Sequence, residues 1–330
     1  MPTLTLAEAE ELVVRTLTRC RTDVDIAASV ARALVAAEAE GQKGHGLSRV
    51  PSYAVQAKAG KVDGFAKPAL TWTRPAAAVV DAKNGFAYPA LDMALGALPE
   101  AVRKNGIVAA GIHHSHHCGV AGHPVEHLAK QGLVALLFAN TPAAIAPWGG
   151  STAAFGTNPI AFACPLPGQA PIVVDLSLSK VARGKILAAK QKGEAIPEGW
   201  ALDADGKPTT DATAALSGTM LPLGDAKGTA LALMVELLAA GLTGANYATE
   251  ASSFLDAKGG PPGTGQLLIA IDPTAFGGDG ALTHFGALAK TIADQPGARL
   301  PGARRLAMRE QAAREGLAIT DMLLADIEAV

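Results

Sequence analysis

Apolar residues recur at helical spacing from the start of the chain. Thr5-Leu6-Ala7-Glu8 has the spacing of a capping box, and Leu12, Val13 and Leu17 follow on one face, so a helix begins here. A second helix is expected with Asp25 as its cap, because Ile26, Val30, Ala33 and Leu34 repeat through a stretch rich in alanine, the best helix former. A third is expected over residues 47–59. Residues 71–80 turn strand-like, residues 90–104 are helical, and residues 106–112 form a short β-rich run. The alternation continues with helix 120–130 and strand 133–139, then helix 227–242 and strand 265–271, and the tail from Ala281 is helical. This order predicts an α/β protein in which helices flank a sheet. Between the elements lie turn-rich segments, residues 142–158 and 255–265, of a length that usually carries function.

With 330 residues and 49% apolar content, the chain can bury a large core without staples, in two domains or one large one. A formal net charge of −2 offers no electrostatic surplus for nucleic acid or an anionic membrane surface, so neither is expected as a partner. Cys20, Cys118 and Cys164 are too few and too scattered for a disulfide framework, which points to the reducing cytoplasm. The first residues lack the basic start and apolar run of a signal peptide, and no apolar run approaches membrane-spanning length.

The usual dinucleotide fingerprint, G-x-G-x-x-G, occurs nowhere, and neither do G-x-x-x-x-G-K-S/T and G-x-S-x-G. Any cofactor site is therefore built differently. Six of the eight histidines fall within HHSHHCGVAGHPVEH, from His113 to His127. Zinc sites favour separated ligand pairs, whereas HHSHH packs its imidazoles onto one turn, and no metal is assigned. A locally satisfied polar loop is one reading. The other uses its position between a strand and a helix, where free N–H groups meet anions and Gly119-x-x-Gly122 would let a phosphate approach the backbone.

In Gly44-His45-Gly46-Leu47-Ser48-Arg49, a histidine able to donate a proton sits four residues before an arginine able to grip a carboxylate through two bonds, and a shared helix would place both on one face. Reduction of a 2-oxo or 2-imino acid needs that pair; a helix cap followed by a surface arginine is the plainer alternative. Asp175 ends an apolar strand, where it can meet a ribose or amide or cap the next helix. Arg299, Arg304 and Arg305 lie in one turn, able to grip a phosphate or simply to stay solvated.

Taken together these residues resemble the malate/L-lactate dehydrogenase-like family of non-Rossmann NAD(P)-dependent oxidoreductases, nearly end to end. The resemblance is carried by His45-Gly46 with Arg49, Pro51 and Tyr53, and by Ser115-His116-His117-Cys118-Gly119. It continues through Asn140, Pro147-Trp148-Gly149-Gly150, Gly156-Thr157-Asn158-Pro159, Asp175-Leu176-Ser177 and Lys227-Gly228. Gly85-Phe86-Ala87 with Pro89-Ala90-Leu91, residues 231–244, and Leu300-Pro301-Gly302-Ala303-Arg304-Arg305 are similar to its cyclic imino acid reductase branch.

The resemblance implies a mixed sheet flanked by helices with interleaved domains. Residues 1–70 would pack with the tail 281–330, and residues 71–280 would form the cofactor- and substrate-binding region. It implies His45 as proton donor and Arg49 and Thr157 as substrate-carboxylate contacts. The implied cofactor contacts are His117, Cys118, Gly119, Val120, Ala121, Asp175, Leu176, Ser177, Arg299, Leu300, Pro301, Gly302, Ala303, Arg304 and Arg305. The implied activity is reduction of Δ1-piperideine-2-carboxylate or Δ1-pyrroline-2-carboxylate by a homodimer, with reduction of a 2-oxo acid or a histidine-cluster metal protein as alternatives. NADPH is the expected cofactor, because Arg304 and Arg305 could pair with its extra phosphate, and NADH is the alternative. One position departs from the family: Gly44 stands where a serine usually precedes the histidine, which leaves a water or Ser48 to orient His45. Since an imine nitrogen can arrive already protonated, the imine reading tolerates that loss.

Overall fold

The computed structural model describes residues 2–330. The N-terminal part gives β1 (Thr3–Leu4), α1 (Leu6–Arg19), α2 (Val24–Ala39), 3-10 turns at Lys43–His45 and Leu47–Arg49, and α3 (Val50–Ala59). A hairpin, β2 (Ala69–Arg74) and β3 (Ala77–Asp81), precedes α4 (Ala87–Asn105), β4 (Ile107–Ser115), α5 (Gly122–Ala129) and β5 (Val134–Ala139). Next come β6 (Ile160–Leu166), β7 (Gln169–Leu176), α6 (Arg183–Lys192), β8 (Ala201–Leu202), β9 (Pro208–Thr209), α7 (Ala212–Ser217) and β10 (Thr219–Met220). α8 (Ala226–Glu236) runs into a π-helical turn at Leu237–Gly241. The chain ends with β11 (Thr264–Ile271), α9 (Thr274–Gly277), α10 (Ala281–Ala293), α11 (Ala303–Glu315), β12 (Leu317–Ala318) and α12 (Asp321–Ala329).

The main sheet is mixed, in the order β2-β3-β4-β11-β5-β6-β7, with β3 and β4 parallel and the other neighbours antiparallel. Val108, Ala110 and Ile112 alternate along β4 into a core shared with Leu98 of α4 and Val125 and Leu128 of α5. A second core joins the chain's two ends. Val13, Leu17, Val30, Leu34 and Tyr53 pack with Leu317, Ile319 and Ile327, and β1 pairs with β12. Burying a leucine such as Leu17 or Leu34 completely stabilises by roughly 1.5–3 kcal/mol, so the tail is held firmly on the first three helices.

The first helix has the expected capping box, Thr5 with Glu8. The second is capped by Asp23, not Asp25: the Asp23 carboxylate accepts the N–H groups of Asp25 and Ile26, which puts Asp25 inside the first turn. The strand-like run 71–80 is a hairpin turning at Pro75-Ala76. The run at 106–112 extends to Ser115, because β3 still pairs with His113 and β11 pairs again at Ser115 after a register shift past His113 and His114. The helix expected from residue 47 starts as a 3-10 turn that runs straight into α3, and His45 lies in a separate turn before Gly46, so His45 and Arg49 are not on one helix face. Gly46 fits because a Cβ there would fall 2.2 Å from a carboxylate oxygen of buried Glu38, which accepts the Leu47 N–H at 3.0 Å.

Candidate active site

The register brings the expected segments to one end of the sheet. Ser115 at the end of β4 pairs with Thr264 at the start of β11, Ala139 at the end of β5 lies beside Gln266, and Ile160 at the start of β6 pairs with Leu176 at the end of β7. His116 and His117, Asn140, Thr157 and Asp175 through Ser177 therefore emerge together. In an α/β protein this rim is where ligands bind.

At its centre is a hydrogen-bonded chain of rings. His45 Nδ1 lies 3.2 Å from His117 Nε2, His117 Nδ1 lies 2.6 Å from the Tyr53 hydroxyl, and that hydroxyl lies 3.1 Å from the hydroxyl of Tyr88. One direction satisfies every member. Tyr88 donates to Tyr53, Tyr53 to His117 Nδ1, and His117 Nε2–H to His45 Nδ1, which leaves His45 Nε2 carrying a proton. The chain is neutral. Burial, with Arg49 and His123 nearby, pulls His45 down to about 4, and burial pushes Tyr53 up to about 12. His117 is held well below the usual imidazole range by burial, Arg49 and His45. Phe254 packs on His116 and His117, with ring centroids 5.0 and 5.3 Å apart, and Gln56 donates to the Phe254 carbonyl and meets His116 Nε2.

This chain answers the question raised by Gly44. The Ser48 hydroxyl donates to the Lys43 carbonyl at 2.6 Å and so is not the substitute; the partner that orients His45 is His117. Arg49 uses Nε to donate to the Gly44 carbonyl at 2.6 Å, which leaves both terminal nitrogens for a ligand. The Thr157 N–H donates to the Thr141 hydroxyl at 2.9 Å, and the two threonine hydroxyls lie 3.3 Å apart.

Sequence reasoning missed Glu236. This buried carboxylate accepts from Asn140 Nδ2 at 3.0 Å, from Asn158 Nδ2 at 2.7 Å and from the Ala248 N–H at 2.6 Å. It ties the ends of β5 and the Thr157 segment to α8, one residue before the π-helical turn. Asn140 and Asn158 were visible in the sequence, but nothing there pairs them with a glutamate on a distant helix.

The glycines around the start of α5 make room for neighbouring side chains. A Cβ on Gly119 (φ +70°) would fall 2.7 Å from the Tyr88 hydroxyl, and one on Gly122 would crowd Asp175 and Arg305. The Gly122 N–H is capped by the Asp175 carboxylate at 2.8 Å, so that amide is not open to an anion. Burial raises both the Asp175 carboxyl and the Cys118 thiol, the latter to about 12. Ser177 lies 2.8 Å from the Ser179 hydroxyl, Leu176 is exposed at the rim, and Val120 and Ala121 are buried.

Arg305 is occupied. It pairs with Glu40 at 3.3 Å and Glu126 at 2.7 Å, and Arg309 bridges the same two carboxylates. Burial pushes Glu126 up, yet Arg309, Arg305 and Lys130 outweigh it and hold the group at about 2. Arg299 and Arg304 are exposed and make no side-chain bond among the described residues. With Leu300, Pro301, Gly302, Ala303 and the Glu40–Gln42 turn they line a pocket of about 550 Å³.

Fold and rim together define an oxidoreductase of the malate/L-lactate dehydrogenase type, and the chain belongs to that family, whose model matches residues 4–328. Among its relatives, the (2R)-3-sulfolactate dehydrogenase (NADP(+)) of Chromohalobacter salexigens is 51% identical over 90% of this chain and 89% of its own. The Δ1-pyrroline-2-carboxylate/Δ1-piperideine-2-carboxylate reductase of Pseudomonas aeruginosa is 41% identical over 99% of this chain and 98% of its own. The crystal structure of Δ1-piperideine-2-carboxylate reductase from Pseudomonas syringae superimposes with a TM-score of 0.93 at 37% identity, covering 100% of this chain and 99% of that one.

Proposed function

We propose that the protein interconverts a 2-oxo acid and its 2-hydroxy acid with NADP(H), on a small dianionic substrate of the 3-sulfopyruvate/3-sulfolactate kind. The observation that carries this reading is His45 held through Nδ1 by His117. Reduction of a ketone needs a proton at the oxygen as negative charge develops, and a positioned acid contributes about 10²–10⁴ in rate. The expectation of an imine substrate came from the resemblance of residues 85–91, 231–244 and 300–305 to the imino acid reductase branch and tolerated a loosely held His45; with His117 on its Nδ1, His45 needs no such tolerance. The 51% identical sulfolactate dehydrogenase supports the same choice.

When bound, NADPH would supply the hydride. The pocket beside residues 299–305 fits its anionic groups, with Arg299 and Arg304 free to meet phosphate while Arg305 holds the wall through Glu40 and Glu126. Arg49 takes the substrate carboxylate with its two terminal nitrogens, and the Thr157 hydroxyl is a second contact. Binding that carboxylate offsets the positive charge that depresses His45, so the imidazole gains proton affinity as substrate arrives. His45, charged once the substrate is bound, then gives its Nε2 proton to the carbonyl oxygen and is left as neutral imidazole; while it is charged its Nδ1–H donates to His117 Nε2, and the hydrogen bonds through Tyr53 to Tyr88 run in the opposite direction.

A second reading, reduction of Δ1-piperideine-2-carboxylate or Δ1-pyrroline-2-carboxylate, is supported by the Pseudomonas relatives; there His45 would bind the ring and not protonate it. NADPH oxidation with 3-sulfopyruvate, oxaloacetate, pyruvate and the two cyclic imines decides. The first reading requires the highest kcat/KM with a 2-oxo acid, and a cyclic imine at the top of the panel overturns it. We also propose a cytoplasmic homodimer. Leu231, Leu233, Met234 and Leu237, on α8 and the turn after it, are at least 38% exposed, a patch a second copy would cover, and the three cysteines are buried free thiols. Light scattering of wild type and Leu233→Glu tests the dimer, and a monomeric wild type sinks it.

A further inference from the structure

Asp81, His113 and His114 form a cluster outside the His45 chain and the cofactor pocket. β3 runs parallel to β4 with Asp81 opposite His113. Consecutive residues of a strand normally present their side chains to opposite faces. Here His114 has φ +48°, a left-handed conformation that L residues rarely adopt, and its ring lies beside that of His113 with centroids 4.3 Å apart. The unusual backbone is pinned from the facing turn: the Ala82 N–H donates to the His113 carbonyl at 3.0 Å and the Asn84 N–H to the His114 carbonyl at 2.8 Å. Asp81 Oδ1 lies 2.9 Å from His114 Nδ1 and accepts the Lys83 N–H. One ligand atom from each of the three side chains lies within 4.8 Å of the others, and His114 is exposed.

We propose that Asp81, His113 and His114 form a surface site for a first-row divalent cation, with Zn²⁺ as the representative ion. Two imidazoles and one carboxylate, with the remaining position open to water, are a zinc donor set; Ca²⁺ and Mg²⁺ take oxygen ligands instead. A simple Asp–His ion pair would need only His114 and leaves the left-handed turn, which brings in His113, without a purpose. The spacing of HHSHH alone argues against zinc, but His113 and His114 lie on β4 and not on one turn with His116 and His117. The third ligand comes from the neighbouring strand, and no motif scan of the loop alone would find it.

The test uses untagged, full-length protein stripped with chelator, titrated with Zn²⁺ by calorimetry and followed by thermal unfolding. Wild type should take up one equivalent and gain Tm with added Zn²⁺, because a ligand that binds the folded state stabilises it. His113→Ala and His114→Asn should each weaken binding at least tenfold and lose the Tm gain while keeping NADPH-dependent activity. Asn tolerates the left-handed backbone, so His114→Asn removes the imidazole and preserves the turn. His127→Ala and His284→Ala should bind as wild type does. Co²⁺ provides a second readout: a four-coordinate visible spectrum in wild type that is absent in His114→Asn. A wild type that takes up no Zn²⁺, or His113→Ala and His114→Asn proteins that bind Zn²⁺ like wild type, would overturn the proposal.

Discussion

Two polar clusters are buried side by side, and they are built in opposite ways. The chain from Tyr88 through Tyr53 and His117 to His45 is neutral, with Tyr53 and His117 each both donating and accepting. The cluster of Glu40, Glu126, Arg305 and Arg309 is fully charged, two carboxylates against two guanidiniums, with His123 on Glu40. Charges in a buried pair cannot leave their partners without a large desolvation cost, so the ionic cluster locks α11 onto α2 and α5 and fixes a pocket wall. Neutral hydrogen bonds cost less to rearrange, so the ring chain can orient a proton and still release it. Position is held by charge, and chemistry by neutrality.

The largest way to break this contrast is to remove one charge. Glu126→Leu leaves two guanidiniums facing Glu40 alone and should cost about 3–5 kcal/mol of stability in urea unfolding, while kcat of the folded fraction persists. A loss below ~1 kcal/mol would mean that the cluster is not a lock. Tyr53→Phe acts on the other side. It takes the donor from buried His117 Nδ1, a cost of about 1–3 kcal/mol, and should lower kcat on a 2-oxo acid by roughly tenfold with KM nearly unchanged. A matched fall in stability with intact kcat would reduce Tyr53 to packing.

The smallest effect is in pH. His45, at about 4, and His116, at about 3, titrate in the folded protein below their ordinary 6.5, in both cases because of burial first. Between those values the unfolded chain binds more protons, so stability falls as pH drops from about 6.5 toward 4. Glu126, held at about 2, loses its contribution only below its ordinary 4.5, while the raised Glu38 and Asp175 act in the opposite sense. The informative quantity is therefore a difference. Tm of His116→Gln should decline less between about pH 6.5 and 4.5 than Tm of wild type, and parallel declines would contradict the account.

Much of this was legible in the sequence. The Thr5 capping box, the alternation of helices and strands, and the closeness of His45 to Arg49 along the chain follow from local chemistry, whereas the meeting of His117 with His45 across 72 residues does not. What was not legible depends on register. Whether Gly119 makes room for a phosphate or for the Tyr88 hydroxyl is decided by how α4 packs against the loop after β4. The Glu236 bridge between Asn140 and Asn158, the capture of Arg305 by Glu40 and Glu126, and the approach of Asp81 to His113 likewise join residues from separate elements. His45 and Arg49 were expected on one helix face, but the backbone breaks at Gly46, where a Cβ would meet Glu38, so that only Arg49 joins the turn leading into α3.

The most direct measurement compares wild type with His45→Ala on 3-sulfopyruvate and on Δ1-piperideine-2-carboxylate, both with NADPH at several pH values. A positioned acid serves the ketone and not the protonated imine, so the loss on 3-sulfopyruvate should be on the order of 10²–10⁴ in kcat, and the loss on the cyclic imine much smaller. Equal losses, or an unchanged rate on 3-sulfopyruvate, would contradict the claim that His45, held by His117, delivers the proton.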